Sequence, residues 1–260
     1  MTLKDSGDGQ REHTSAHPPV SRAEKVSVQV ARAIVRQLAE LPRGTSLPGE
    51  AQMIESFGAS RSSVREALRI LEVQGLITIR PGPGGGPVLV GPQSSALGRT
   101  ATLFFHLLQA RYAHLLHAQV ALEPLLARLA ATNPDREQVC ALAEFTEPAP
   151  ADLETLTYLD RATAFHAALI AASGNPVLTL ICQSLRDIAE DRLATRVRGA
   201  VVNDPRERQA TIGEHQAIAA AILAGAADTA EARMAAHMEA YCTRVLARHA
   251  ELVQEIVDWH

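Results

Sequence analysis

The sequence predicts a mainly α-helical protein of two domains: a small N-terminal domain of three helices and a β-hairpin, then a larger all-α antiparallel bundle. Three observations predict it. Apolar residues recur every three to four positions through most of the chain, the helical period. Strand signal is confined to "LITIR" and "PVLV", which flank the turn-forming tip "PGPGGGP". Charge is also divided unevenly. The 260 residues are 47% hydrophobic with a formal net charge of −4, yet residues 21–80 hold nine Lys/Arg against six Asp/Glu, and residues 81–260 hold fourteen against twenty. A small basic module on an acidic body suits a protein that presents one part of itself to phosphate.

Taken in order, residues 1–20 are polar and aperiodic and are expected to form a disordered tail. The first helix is expected from Arg22 to Leu41, with Val26, Val30, Ile34 and Leu38 as one buried stripe. "LPRGTSLPGE" is turn chemistry, and a short helix over Glu50–Phe57 buries Met53, Ile54 and Phe57. Gly58 suits a helix C-terminus and Ser60 an N-cap. The helix that follows buries Val64, Ala67, Leu68 and Leu71, and its outer face is expected to carry Arg61, Ser62, Ser63, Arg65 and Arg69. Two helices joined by a tight turn and followed by a hairpin make a winged helix-turn-helix over residues 21–92, whose second helix offers its N-terminal side chains to the DNA major groove. Residues 93–260 carry almost no strand signal. Amphipathic segments are expected near 94–110, 113–132, 135–145, 152–173, 177–198, 206–224 and 227–257, with breaks at "NPD", "EPAPAD", "SGNP", "NDP" and "AGAAD".

No apolar run is long enough to span a bilayer and the first residues lack a signal-peptide core, so the expected location is cytoplasmic. Cys140, Cys182 and Cys242 are odd in number without CxxC spacing, and are expected to be small buried hydrophobes.

No histidine lies between residues 18 and 105, so histidine chemistry belongs to the helical domain. His215 and His237 flank the turn "AGAAD" almost symmetrically. At about 1.5 Å per residue both fall roughly 16 Å from it, facing one another across antiparallel helices. His215 shares a stripe with Ile212, Ile218 and Ile222, His237 with Ala230, Met234 and Tyr241, and His166 lies among Leu159, Ala162, Leu169 and Ile170. A lone histidine on an apolar face is usually a satisfied core residue. Three on inward faces are a candidate set of imidazole ligands for zinc or nickel, leaving room for water or a ligand carboxylate.

"LPGEAQMIESFGASRSSVREALRILEVQGLITIRPGPG" resembles the winged-helix domain of GntR-type bacterial transcription regulators. "ALEPLLARLAA", "FHAALIAASGN" and "EHQAIAAAILAGAADTAEARMAAHM" resemble its FadR branch, whose helical domain is called FCD; together the likeness spans roughly residues 22–255. The resemblance implies a homodimer on a short palindromic operator, usually repressing, and released by a small organic acid or related effector. By position it implies DNA contacts from Arg61, Ser62, Ser63, Arg65 and the wing near Gly82, and a metal on His166, His215 and His237. Four departures stand out. Ala51 and Pro83 replace basic residues of the DNA-binding domain, Ala162 replaces the aspartate ligand, and Gln119 replaces an effector-binding arginine. Asp160 lies about 120° around the helix from His166 and cannot substitute. Together these imply a three-histidine metal site and an effector, near Gln119 and the histidines, less anionic than usual; the alternative is a metal-free pocket of hydrogen-bonded histidines.

Two other functions compete. A metal-dependent hydrolase fused to a DNA-binding domain would use the same histidines, but no HExxH occurs and Glu214, beside His215, is expected to point elsewhere. A purely architectural DNA binder would not need so large a bundle with inward histidines.

Overall fold

The computed structural model describes residues 22–82, 84–148, 155–197 and 204–259. The expected tail over residues 1–20 and Pro83 of the wing lie outside these. The chain divides into two compact units with the boundary between Gly91 and Pro92.

The first unit runs α1 (Arg22–Leu38), α2 (Glu50–Phe57), α3 (Arg61–Val73), β1 (Ile77–Arg80) and β2 (Gly86–Leu89). Its core gathers Val30, Ile34 and Leu38 of α1, Met53 of α2, Val64, Ala67, Leu68 and Leu71 of α3, and Ile77 and Leu89 of the hairpin. Burying each of these larger side chains contributes about 1.5–3 kcal/mol. Helix α1 ends at Leu38 rather than the expected Leu41. Pro42 disfavours helical backbone at the residue before it, so the chain turns early, with the Leu41 amide donating to the Leu38 carbonyl.

Between α2 and α3 the turn depends on Gly58, whose φ of +58° closes α2 in the left-handed region that a glycine enters without strain. The hairpin strands pair antiparallel, Ile77 opposite Leu89 through Arg80 opposite Gly86. Ser46 adds a bridge to Val88, flanked by bonds from Gly44 to Leu89 and from Leu47 to Pro87. At the tip, a Cβ on Gly85 would sit 2.2 Å from the Arg80 carbonyl oxygen, so only glycine fits.

The second unit is all helical: α4 (Ser94–Leu107), α5 (Tyr112–Thr132), α6 (Arg136–Cys140), a 3₁₀ segment (Ala141–Thr146), α7 (Thr155–Ala172), α8 (Pro176–Val197), α9 (Pro205–Leu223), α10 (Ala227–Arg248) and α11 (Ala250–Gln254). Its larger core joins Leu126, Ala127 and Ala130 of α5, Phe165, Leu169 and Ile170 of α7, Ile218 and Ile222 of α9, and Met234 and Met238 of α10. Two expected single helices are divided. Residues 135–145 become α6 plus the 3₁₀ turn, and residues 227–257 break at His249 into α10 and α11. The chain beyond α11 then straps across the start of α5: Val257 N–H donates to Ala110, Tyr112 N–H to Glu255, and Arg111 bridges to Ile256. Leu252, Val253 and Val257 fill a second apolar cluster beneath this strap with Tyr112 and Leu116. Cys182 and Cys242 are buried as expected, but Cys140, at the end of α6, is exposed. No described helix is long and apolar enough to cross a membrane.

Candidate functional site

Candidate functional side chains gather on two surfaces, one on each unit. On the first, Ser60 caps α3 by accepting the Ser63 amide and meets the Ser62 and Ser63 hydroxyls at 2.9 Å each. Arg61, Ser62, Arg65 and Arg69 are exposed, so α3 presents three guanidinium groups along one outer face, Arg61 at its positive N-terminal end. Arg65 Nε lies 3.5 Å from Glu50 Oε1 on α2. Ser63 departs from expectation: it is 6% exposed. Its hydroxyl is committed to the cap, because residue 63 flanks the buried stripe of Val64, Ala67 and Leu71 rather than lying opposite it. Gly82 is exposed at the hairpin tip with φ +96°.

In the second unit, α7, α9 and α10 bring His166, His215 and His237 to the wall of a cavity of about 480 Å³. His215 Nε2 is 3.2 Å from His237 Nε2, which is 3.4 Å from His166 Nε2. Behind them, His166 Nδ1–H donates to Glu123 Oε2 of α5 at 2.5 Å, and His237 Nδ1–H donates to Glu214 Oε2 of α9 at 2.7 Å. His215 stacks on Phe165, ring centroids 4.0 Å apart and 14° from parallel. Glu123 also accepts from Arg186 Nη1 at 2.9 Å, and Arg186 Nη2 donates to Glu190 at 2.6 Å.

Electrostatics keep the imidazoles neutral. Burial pushes His166 down to about 4 against the pull of Glu123. His215 falls well below its usual range through burial and its two histidine neighbours. His237 is lowered by burial, opposed by its bond to Glu214. For Glu123 burial acts upward, but His166 and Arg186 together outweigh it and hold the carboxyl at about 2. The carboxylate is therefore an acceptor, which places the His166 proton on Nδ1; Glu214 does the same for His237. Both Nε2 atoms then turn lone pairs toward a common point. Facing lone pairs repel unless a cation or a shared proton lies between them.

These residues fit a divalent metal. Three neutral nitrogens converge with ligand atoms all within 4.8 Å, and the two measured separations match the roughly 3.3 Å edge of a tetrahedron at zinc–nitrogen bond length. Two of the three carry the carboxylate backing usual for metal-bound imidazole. Ala162 lines the cavity one turn before His166, and no carboxylate joins the three histidines among the described residues. Asp160 also lines the cavity without joining that group.

The structure thus brings together all three sequence-predicted histidines. It places Gln119 differently: that side chain is buried in α5, and no α5 residue is among the described residues lining the cavity. Cationic groups on the wall come instead from Arg186, Arg244 and Arg248, with Tyr158 and Tyr241 also lining it. The expectation that Glu214 points elsewhere is corrected by its bond to His237. Glu123 and Arg186 were missed. The available signal was Glu123 itself, a carboxylate on the apolar stripe of Leu126 and Ala130.

Comparison with known proteins finds a match for each of the two units. Residues 26–85 match the family model "Bacterial regulatory proteins, gntR family", and residues 114–240 match the FCD domain. The "Putative L-lactate dehydrogenase operon regulatory protein" of Escherichia coli is 30% identical over 232 residues, 82% of this chain and 85% of the relative. The HTH-type transcriptional regulator LutR of Bacillus subtilis is 29% identical over 202 residues, 76% and 90% respectively. Among solved structures, Streptococcus agalactiae GntR shares the fold with a TM-score of 0.56 at 22% identity, covering 85% of this chain and 99% of that one. With a winged helix-turn-helix in its first unit and an FCD bundle in its second, the chain belongs to the GntR family of bacterial transcription regulators and is not an enzyme.

Proposed function

We propose that the protein is a metabolite-responsive repressor in the cytoplasm that binds a palindromic operator as a homodimer and is released by a small organic ligand in the histidine cavity. The observation that carries this is the convergence of three neutral imidazoles on one wall of a cavity large enough for a metabolite. In this reading Arg61, Ser62 and Arg65 contact DNA, Gly82 lets the wing approach the backbone, and buried Ser63 fixes the start of α3. His166, His215 and His237 hold zinc or nickel. A metal held there would supply Lewis acidity toward a ligand oxygen. With alanine at position 162, three histidines and no carboxylate would hold it. Because Gln119 is neutral and buried, the cavity's cationic contact to the ligand falls to Arg186, Arg244 or Arg248. The names of relatives favour a small carboxylic acid, since one is titled for an L-lactate dehydrogenase operon.

Selection of binding sites from random DNA by the purified full-length protein tests the DNA half. Palindromic sites recovered at moderate salt support the reading, and sequence-blind binding contradicts it. Small organic acids screened with zinc for release of the selected site test the other half.

A further inference from the structure

We propose that Glu214 is a positioning residue of the histidine centre: its carboxylate, presented from α9, fixes the ring orientation and proton position of His237 on the neighbouring helix α10. The inference rests on the reading that the three imidazoles hold a divalent cation, and adds a role for a residue outside the ligand set. Glu214 and His215 are consecutive on α9, about 100° apart around the helix. His215 turns directly into the cluster, 3.2 Å from His237 Nε2. Glu214 reaches the same partner from behind, with Oε2 2.7 Å from His237 Nδ1. Two adjacent residues of one helix therefore lie against the two ring nitrogens of a histidine on another, Glu214 at Nδ1 and His215 at Nε2.

The consequence is chemical. A carboxylate only accepts, so Nδ1 carries the proton and Nε2 presents its lone pair to the cluster. Without that acceptor a neutral imidazole is free to place its proton on Nε2, pointing it at His215 and His166 and closing the coordination position. Glu123 supplies the matching brace for His166 from α5. The third ring, His215, has Phe165 stacked on it instead. Glu214 is the better test of the two braces because it is half-exposed and its loss leaves no charge buried, whereas Glu123 also neutralises Arg186.

Nitrogen-15 NMR of the metal-free full-length protein reads the proton position, with the His237 ring assigned by its loss in His237→Ala. In the parent, His237 is protonated on Nδ1. In Glu214→Ala that preference is lost, and Glu214→Gln, which keeps an oxygen acceptor, restores it. Calorimetric zinc titration of the same proteins gives affinity about 10–100-fold weaker for Glu214→Ala and an intermediate value for Glu214→Gln. A parental His237 tautomer in Glu214→Ala, or a parental zinc affinity, overturns the proposal; a lowered melting temperature alone marks a merely structural residue and also overturns it. If the parent itself binds no zinc, the metal reading fails, and the tautomer comparison alone decides whether Glu214 positions His237.

Discussion

Introducing a carboxylate at position 162 probes the cavity most sharply. Ala162 lies one turn before His166 on α7 and lines the cavity that the three imidazoles face. In Ala162→Asp the new side chain adds an oxygen to three nitrogens, completing the four-ligand shell of a closed zinc site. Without metal, the same group is a partly buried acid beside neutral imidazoles; with one side open to the cavity, the cost is at the low end, about 1 kcal/mol. One added charged ligand that tightens zinc binding tenfold contributes about 1.4 kcal/mol more on saturation. For a domain of this size each kcal/mol moves the midpoint by about 2–4 °C. The variant should therefore melt about 2–4 °C below the parent in chelator, yet gain about 3–6 °C more than the parent when zinc is added. Differential scanning calorimetry with chelator and with saturating zinc measures both. A zinc-induced shift no larger than the parent's would refute a metal framed by His166, His215 and His237.

Other expectations follow from the same geometry. Arg65→Ala should weaken specific operator binding by about 1–3 kcal/mol in gel-shift titrations and leave the melting temperature nearly unchanged, because the side chain is exposed and its pair with Glu50 is a surface one. Equal operator affinity would remove α3 as the reading helix. Glu123→Ala leaves the buried Arg186 without its main counter-charge and His166 without its brace. A loss of about 3–5 kcal/mol in denaturant titration is expected, and one under about 1 kcal/mol would mean that the carboxylate does not bind this network together. Of the three thiols, only exposed Cys140 should react quickly with a thiol reagent in the native protein. Burial pushes Cys182 up to about 11 and also raises Cys242, so both should react only on unfolding. Fast labelling of two or three would contradict the packing.

The parts legible in the sequence are those that depend on local periodicity. The stripes of α1 and α3 and the hairpin around its glycine-rich tip were readable residue by residue. So was the facing of His215 and His237, since two helices joined by a short turn must run antiparallel and bring residues equidistant from the turn to one level. What stayed hidden depends on contacts across long stretches of chain. Glu123 meets His166 from 43 residues away and Arg186 from 63, and a spacing rule carries no information at that range. Glu214 was misplaced because consecutive helical residues diverge by about 100°; across a close antiparallel pair, that divergence reaches the side of the neighbouring helix. Ser63 was misplaced because the buried stripe of α3 is wider than the residues that define its centre. The strap beyond α11 pairs with the start of α5 largely through backbone groups, to which side-chain patterns are blind.

In the proposed reading α3 reads the operator while the histidine cavity receives the releasing ligand, as two separable functions of one chain. Operator release by an organic acid, compared between the parent and a His215→Ala/His237→Ala double variant in the presence of zinc, tests it most directly. The double variant should bind the selected operator as tightly as the parent and should no longer be released by the acid that releases the parent. Release at the parental concentration, or loss of operator binding without any acid present, would contradict it.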